Sequence, residues 1–142
     1  MELDLTHARS ILEQEGCTCV LCKDSVQYKS TRRGVAPLMG WLEEGLDLKG
    51  FSAADKVVGK ATAFLYCLLQ VRCVYAQVMS EAAAQVLTQN GIPFLCDNMV
   101  PAIQNRTGDG LCPMEMATRN ISNPADAPAA IRAALARLTN KK

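Results

Sequence analysis

Histidine is almost missing from this chain: His7 is the only one among 142 residues. That scarcity excludes every site that needs two imidazoles, including the HExxH zinc proteases and His–His metal centres. Aromatics are also few, at 5%. Tyr28, Tyr66, Tyr75 and Trp41 are scattered along the chain, so nothing marks a stacking platform for nucleic acid. No excess of charge compensates, because fifteen basic and fourteen acidic side chains leave +1, which argues against a general polyanion binder. Long apolar runs are absent as well. The most apolar stretch, Ala61 to Val71, falls far short of a bilayer span and contains Gln70. Residues 1–16 carry Glu2, Asp4, Glu13 and Glu15 and no secretory core, so a cytoplasmic protein without membrane association is expected. Repeats, low-complexity tracts and long linkers are lacking, and a single domain over 1–142 is expected.

What the chain has in quantity is cysteine, seven residues in all. In a reducing compartment these are buried thiols, metal ligands or reactive groups rather than disulfides. Cys17, Cys19 and Cys22 form a CxCxxC pattern. If they lie on a strand, alternation puts Cys17 and Cys19 on one face and Cys22 on the other, so the three cannot converge on one ion. Cys112 is the one distant candidate for a fourth thiolate of a zinc or iron–sulfur site. The reading preferred here is small buried hydrophobes and no cofactor, with an iron–sulfur cluster as the alternative. Cys67, Cys73 and Cys96 lie in apolar runs. Cys112 differs, because Cys112-Pro113-Met114-Glu115 places it just before a helix, where the N-terminal field can activate a thiol. His7 reads as a surface residue.

Periodicity and turn chemistry give the elements. Leu5, Ala8, Ile11 and Leu12 recur at helical spacing and Gly16 ends that helix. Thr18 to Lys23 and Val26 to Ser30 read as a hairpin around Asp24-Ser25, without a turn glycine. After the basic loop Thr31-Arg32-Arg33-Gly34, Val35 to Glu44 reads as a helix with Pro37 in its first turn and Gly45 after it. A long central helix is predicted from Ser52 to about Gln70, apolar on more than one face. Cys73 to Val78 and Pro93 to Cys96 read as strands joined by a helix over Ser80 to Asn90, a right-handed parallel crossover. A polar loop (Asn105 to Gly110) precedes helices over Pro113 to Asn120 and Pro124 to Leu138, the last facing inward through Ile131, Leu135 and Leu138. The expected fold is a three-layer α-β-α sandwich around a mixed sheet, hairpin plus parallel crossover strands.

Asp55 to Lys60 is the densest charged segment of that predicted central helix. Lys56 and Lys60, four apart, share a helix face. Ser52-x-x-Asp55 has capping-box spacing with Asp for Glu, and the helix start beside a carboxylate and two ammoniums suits a polar or anionic ligand. Gly59-Lys60 is rejected as a phosphate-binding loop, because Ala54 and Ala61 stand where glycine and Ser/Thr are needed. Asn105 and Arg106, in the polar loop, are candidates to grip a phosphate or carboxylate.

The segments TCVLCKDS, STRRGVAPL, GFSAADKVVGKATAFLY, VYAQVMSEAA and VPAIQNRTGDGLCPME, with the closing alanine-rich helix, resemble a bacterial and archaeal family of unknown function. That family is known for a cytidine-deaminase-like fold without the deaminase zinc site, and the resemblance spans about residues 8 to 138. Zinc deaminases hold the metal through H/C-x-E at one helix start and P-C-x-x-C at the next. Aligned on the predicted helices, those places here read Ala53-Ala54-Asp55 and Met79-Ser80-Glu81-Ala82, so zinc-dependent hydrolytic deamination is not expected. The resemblance implies a retained cleft lined by Asp55, Lys56, Ser80 and Glu81, with Arg106 and Cys112 approaching from the later loop.

The function expected is therefore binding of a small anionic or nucleotide-like ligand. If the protein is an enzyme, Asp55 is the acid/base and Lys56 or Lys60 the charge stabiliser. The rivals are thiol chemistry at Cys112 and a non-enzymatic ligand-responsive regulator. A homodimer is expected from fold analogy alone.

Overall fold

The computed structural model describes residues 2–104, 110 and 112–140. In chain order the elements are α1 (Glu2–Glu15), β1 (Cys19–Lys23), β2 (Val26–Ser30), α2 (Ala36–Glu44), β3 (Ser52–Val58), α3 (Lys60–Leu69), β4 (Cys73–Ser80), α4 (Glu81–Gln89) and β5 (Phe94–Val100). They are followed by α5 (Pro113–Ala117), a 3-10 turn at Pro124–Asp126 and α6 (Ala127–Asn140). The five strands form one mixed sheet in the order β2-β1-β3-β4-β5. β1 pairs antiparallel with β2 and β3, while β3, β4 and β5 are parallel.

The hairpin forms where the sequence predicts it, and Asp24 takes a left-handed φ of 54° in place of the missing glycine. Asp is among the few residues that tolerate that conformation. Likewise α1 stops at Gly16 (φ 69°) and α2 at Gly45 (φ 74°), each a left-handed helix stop.

One prediction fails, and it matters. Ser52 to Val58 is not the start of a long helix but the central strand β3, and α3 begins only after Gly59. Its first four residues are all buried, because β1 and β4 flank the strand and helices cover both faces. A central strand in such a sheet shows no alternation for the sequence to reveal. Ala53, Ala54, Asp55 and Lys56 favour helix or turn locally, and tertiary pairing overrides them. The β-branched pair Val57-Val58, just before Gly59, was the available strand signal. Consequently Ser52 and Asp55 form no capping box, and Lys56 (strand) and Lys60 (first residue of α3) do not share a helix face.

Smaller differences follow from the same packing. β5 runs to Val100, past the predicted Cys96. The helix expected over Pro113 to Asn120 ends at Ala117. Ile131 is fully buried on α6, Leu135 is half-buried and Leu138 is 44% exposed, so Leu138 does not join the inner face.

The two faces of the sheet are covered unequally. α1 alone covers one, packing Ala8, Ile11 and Leu12 on Val20, Cys22, Ala54 and Tyr75. The other face carries the main core, built with side chains from α2, α3, α4, α5 and α6. Cys17 and Cys22 lie in the α1 cluster and Cys19 in the main core. This corrects the expected pairing of Cys17 with Cys19: β1 begins only at Cys19, after left-handed Gly16, so strand alternation does not extend back to Cys17.

A candidate ligand-binding site at the end of the central strand

Sheet register assembles the site. Cys19 of β1 lies directly opposite Asp55 of β3, which in turn is paired with Ala76 of β4. Cys19, Asp55 and Ala76 face the main core, and α3 lies over that face. Tyr66 reaches down from α3 and donates its hydroxyl to Asp55 Oδ2 at 2.7 Å. Cys19 Sγ lies 3.3 Å from the Tyr66 hydroxyl and completes the buried Asp55–Tyr66–Cys19 cluster. The Val57 N–H donates to Asp55 Oδ1 at 3.3 Å. Tyr66, an apolar ring with a polar tip in a largely apolar helix, needs such a partner when buried.

Asp55 is 7% exposed. Burial pushes its carboxyl up from 3.8 to about 7, against the opposing pull of the Tyr66 hydroxyl, the Val57 and Lys56 N–H groups and the Cys19 thiol. The same burial, followed by the neighbouring Asp55 charge, holds both Tyr66 and Cys19 well above their ordinary values. Asp55 thus exchanges its proton near neutrality, while Tyr66 and Cys19 stay neutral donors.

This cluster opens on a cavity of about 550 Å³ at the C-terminal end of β3. Ligands in open α/β sheets bind outside the carboxyl ends of the strands. Buried Asp55, Glu115, Cys19 and Thr62 line it, and Val35, Ala61, Ile103 and Met114 supply apolar wall. Exposed Thr31, Arg33 and Lys56 lie along its outer part. Its polarity is therefore graded, with carboxyl groups inside and cations at the rim.

Glu115 accepts the Lys60 backbone N–H through Oε1 at 2.6 Å, capping α3 with a carboxylate from 55 residues further along the chain. Gly59 makes this approach possible, since a Cβ there would collide with Glu115 Oε1. The first N–H of α3 is thus already taken by a protein carboxylate.

The predicted site residues separate on this geometry. Asp55, Lys56 and Cys112 line the cavity together. Lys60 does not; its ammonium donates to the Arg119 carbonyl at 3.0 Å. Ser80 is buried as the N-cap of α4, accepting the Ala83 N–H at 3.1 Å, and Glu81 is exposed in the first turn of that helix. Neither is among the residues lining the cavity. Asn105 and Arg106 lie outside the described residues. His7 is on the surface, beside Gln27. Among the described residues, no three His, Cys, Asp or Glu side chains are grouped to hold a metal ion, and no helix is long and apolar enough to cross a membrane.

Sequence reasoning missed Tyr66, Cys19 and Glu115 as site residues. Their contacts are non-local: Cys19 was weighed only within the CxCxxC pattern, Glu115 stood in the segment that follows Cys112, and Tyr66 carried no signal.

A crystal structure of a DUF1893 family protein (TM1506) from Thermotoga maritima has the same fold. Its TM-score is 0.84 at 21% identity, over 94% of this chain and 90% of that one. No curated protein matches the chain. The fold agrees with a sequence match to TM1506, domain of unknown function (DUF1893), over residues 7–135, and the chain belongs to that family.

Proposed function

We propose that this protein binds a small nucleotide-like molecule in the cavity at the end of β3, on a cytidine-deaminase-like fold, with Asp55 as the proton-exchanging contact. The observation that carries the reading is the Asp55 carboxyl, buried on the wall of a 550 Å³ cavity and titrating at about 7. A group with that titration is matched to proton transfer at neutral pH. Arg33 and Lys56, exposed along the same cavity, supply the positive charge for an anionic part of the ligand. Lys60 leaves that role, since its backbone and ammonium are both engaged.

With β3 placed correctly, the helix starts that would hold zinc in a deaminase are Gly59-Lys60-Ala61 and Ser80-Glu81-Ala82. Neither offers the imidazole or thiolate that a zinc deaminase uses. The chemistry these residues support is proton transfer at Asp55 rather than zinc-dependent hydrolysis.

Thermal-shift screening against nucleoside monophosphates and sugar phosphates tests the reading. A ligand at a hundred times its Kd stabilises the native state by about 2.7 kcal/mol. The expected outcome is a hit whose shift is lost in Asp55→Ala and reduced in Lys56→Ala. Equal shifts in wild type and Asp55→Ala would show that the ligand binds elsewhere.

A second reading rests on Cys112, half-buried on the wall of the same cavity. Thiol chemistry there predicts rapid alkylation of Cys112 at pH 6.5, ahead of the other six cysteines. Slow, uniform labelling would remove it.

A further inference from the structure

We infer that the inner end of the cavity takes a planar N–H donor group of the amidine or guanidine type, carried on an apolar body. This deepens the proposed function and rests on its placement of the ligand at Asp55. Among the described residues, the buried charged groups that line the cavity are Asp55 and Glu115, both carboxyls. Every described protein group directed at them donates: the Tyr66 hydroxyl, the Val57 and Lys56 N–H groups and the Cys19 thiol at Asp55, the Lys60 N–H at Glu115. An ionised carboxyl only accepts, so the group that meets this pair from the cavity side is a donor.

An anionic head here would meet two carboxyls, and the first N–H of α3 is already bonded to Glu115. A hydroxyl offers one donor, whereas an amidine presents two parallel N–H groups that match a carboxylate edge. The body of such a ligand lies against the apolar side chains of Val35, Ile103 and Met114. Its anionic part, if it has one, reaches outward to Arg33 and Lys56. The Tyr66 bond fixes Asp55 Oδ2 beneath α3, so Asp55 is held in orientation before the ligand arrives.

Benzamidine and benzoate share an apolar ring and carry opposite heads, which makes them the discriminating probes. Each is titrated into the full chain and followed by the backbone amide resonances of Val57, Gly59 and Thr62. The expected result is saturable shifts with benzamidine, none at these amides with benzoate, and at least tenfold weaker benzamidine binding in Asp55→Asn. Glu115→Gln is the second variant, expected to weaken benzamidine less. Benzoate shifting these amides as well as benzamidine does would overturn the inference, as would unchanged benzamidine affinity in Asp55→Asn. A nucleoside monophosphate that binds the cavity while benzamidine fails overturns this inference and leaves the proposed function standing. If neither class of probe reaches these amides, both fall.

Discussion

Two tyrosine–aspartate pairs hold opposite faces of the same sheet. Tyr66 donates to Asp55 on the main-core side, and Tyr75 donates to Asp97 on the α1 side. Both phenol rings are buried, at 0% and 1% exposure, so the tyrosines are equivalent by that measure. The carboxyls are not. Asp55 is on the central strand under α3, whereas Asp97 is on edge strand β5 and exposed. The Arg9 guanidinium also lies 4.0 Å above the Tyr75 ring, and among the described residues no cation lies over Tyr66. The same hydrogen bond is a surface latch in one place and part of a titrating site in the other, because solvent around the acceptor differs.

The largest expected effect is on the pH dependence of stability. Asp55 is protonated in both folded and unfolded chain well below pH 4 and ionised in both well above pH 7. Between these limits the folded chain retains a proton that the unfolded chain has lost, so this group's contribution falls as pH rises from about 4 to about 7. The total is on the order of 4 kcal/mol. Asp55→Asn should flatten that slope and be more stable than wild type at pH 8, as read by urea unfolding across pH. Asp97→Asn should change stability by less than about 0.5 kcal/mol at either end, as is usual at an exposed site. Parallel pH profiles for the two variants would break the comparison.

Next come the tyrosines. Tyr66→Phe removes a donor from a buried carboxyl and should cost about 2 kcal/mol at pH 8. It should also move the Asp55 titration further up from about 7, measured by carboxyl ¹³C NMR. Tyr75→Phe, whose partner regains water, should cost about 1 kcal/mol or less. Equal costs would mean that burial of the acceptor is not what separates the pairs.

The smallest effect concerns the cation. Arg9→Ala removes a cation–π contact at a partly exposed site and should cost about 0.5–1 kcal/mol in thermal unfolding. It should leave the Asp55 titration unmoved, since the two pairs lie on opposite faces of the sheet.

How far each feature could be read beforehand follows from the range of the interactions that create it. The hairpin, the stops at Gly16 and Gly45, and the helix between β4 and β5 arise from turn residues and short periodicities. β3 could not be read that way, since its neighbours come from residues 19–22 and 73–79 and its alanines signal helix. Asp55 was singled out, but on the assumption of a helix start. On a strand it meets Cys19 across the sheet and Tyr66 above it, partners that helical spacing cannot supply. Ser80 was placed in the cleft by analogy, and its hydroxyl turned out to be spent on capping α4.

By itself the sequence determined which chemistries are closed to this protein. The chain carries one histidine, so it supplies no pair of imidazoles, and its charges balance to +1. It also singled out Asp55 and Lys56 as adjacent charged residues, although it placed them in a helix and they lie on β3. Tertiary structure alone decided that Asp55 is buried, that Tyr66 and Cys19 attend it, and that Glu115 rather than a ligand caps α3. The reason is physical: a carboxyl's titration and a helix terminus's vacancy depend on what surrounds them in space, and here those surroundings come from distant parts of the chain.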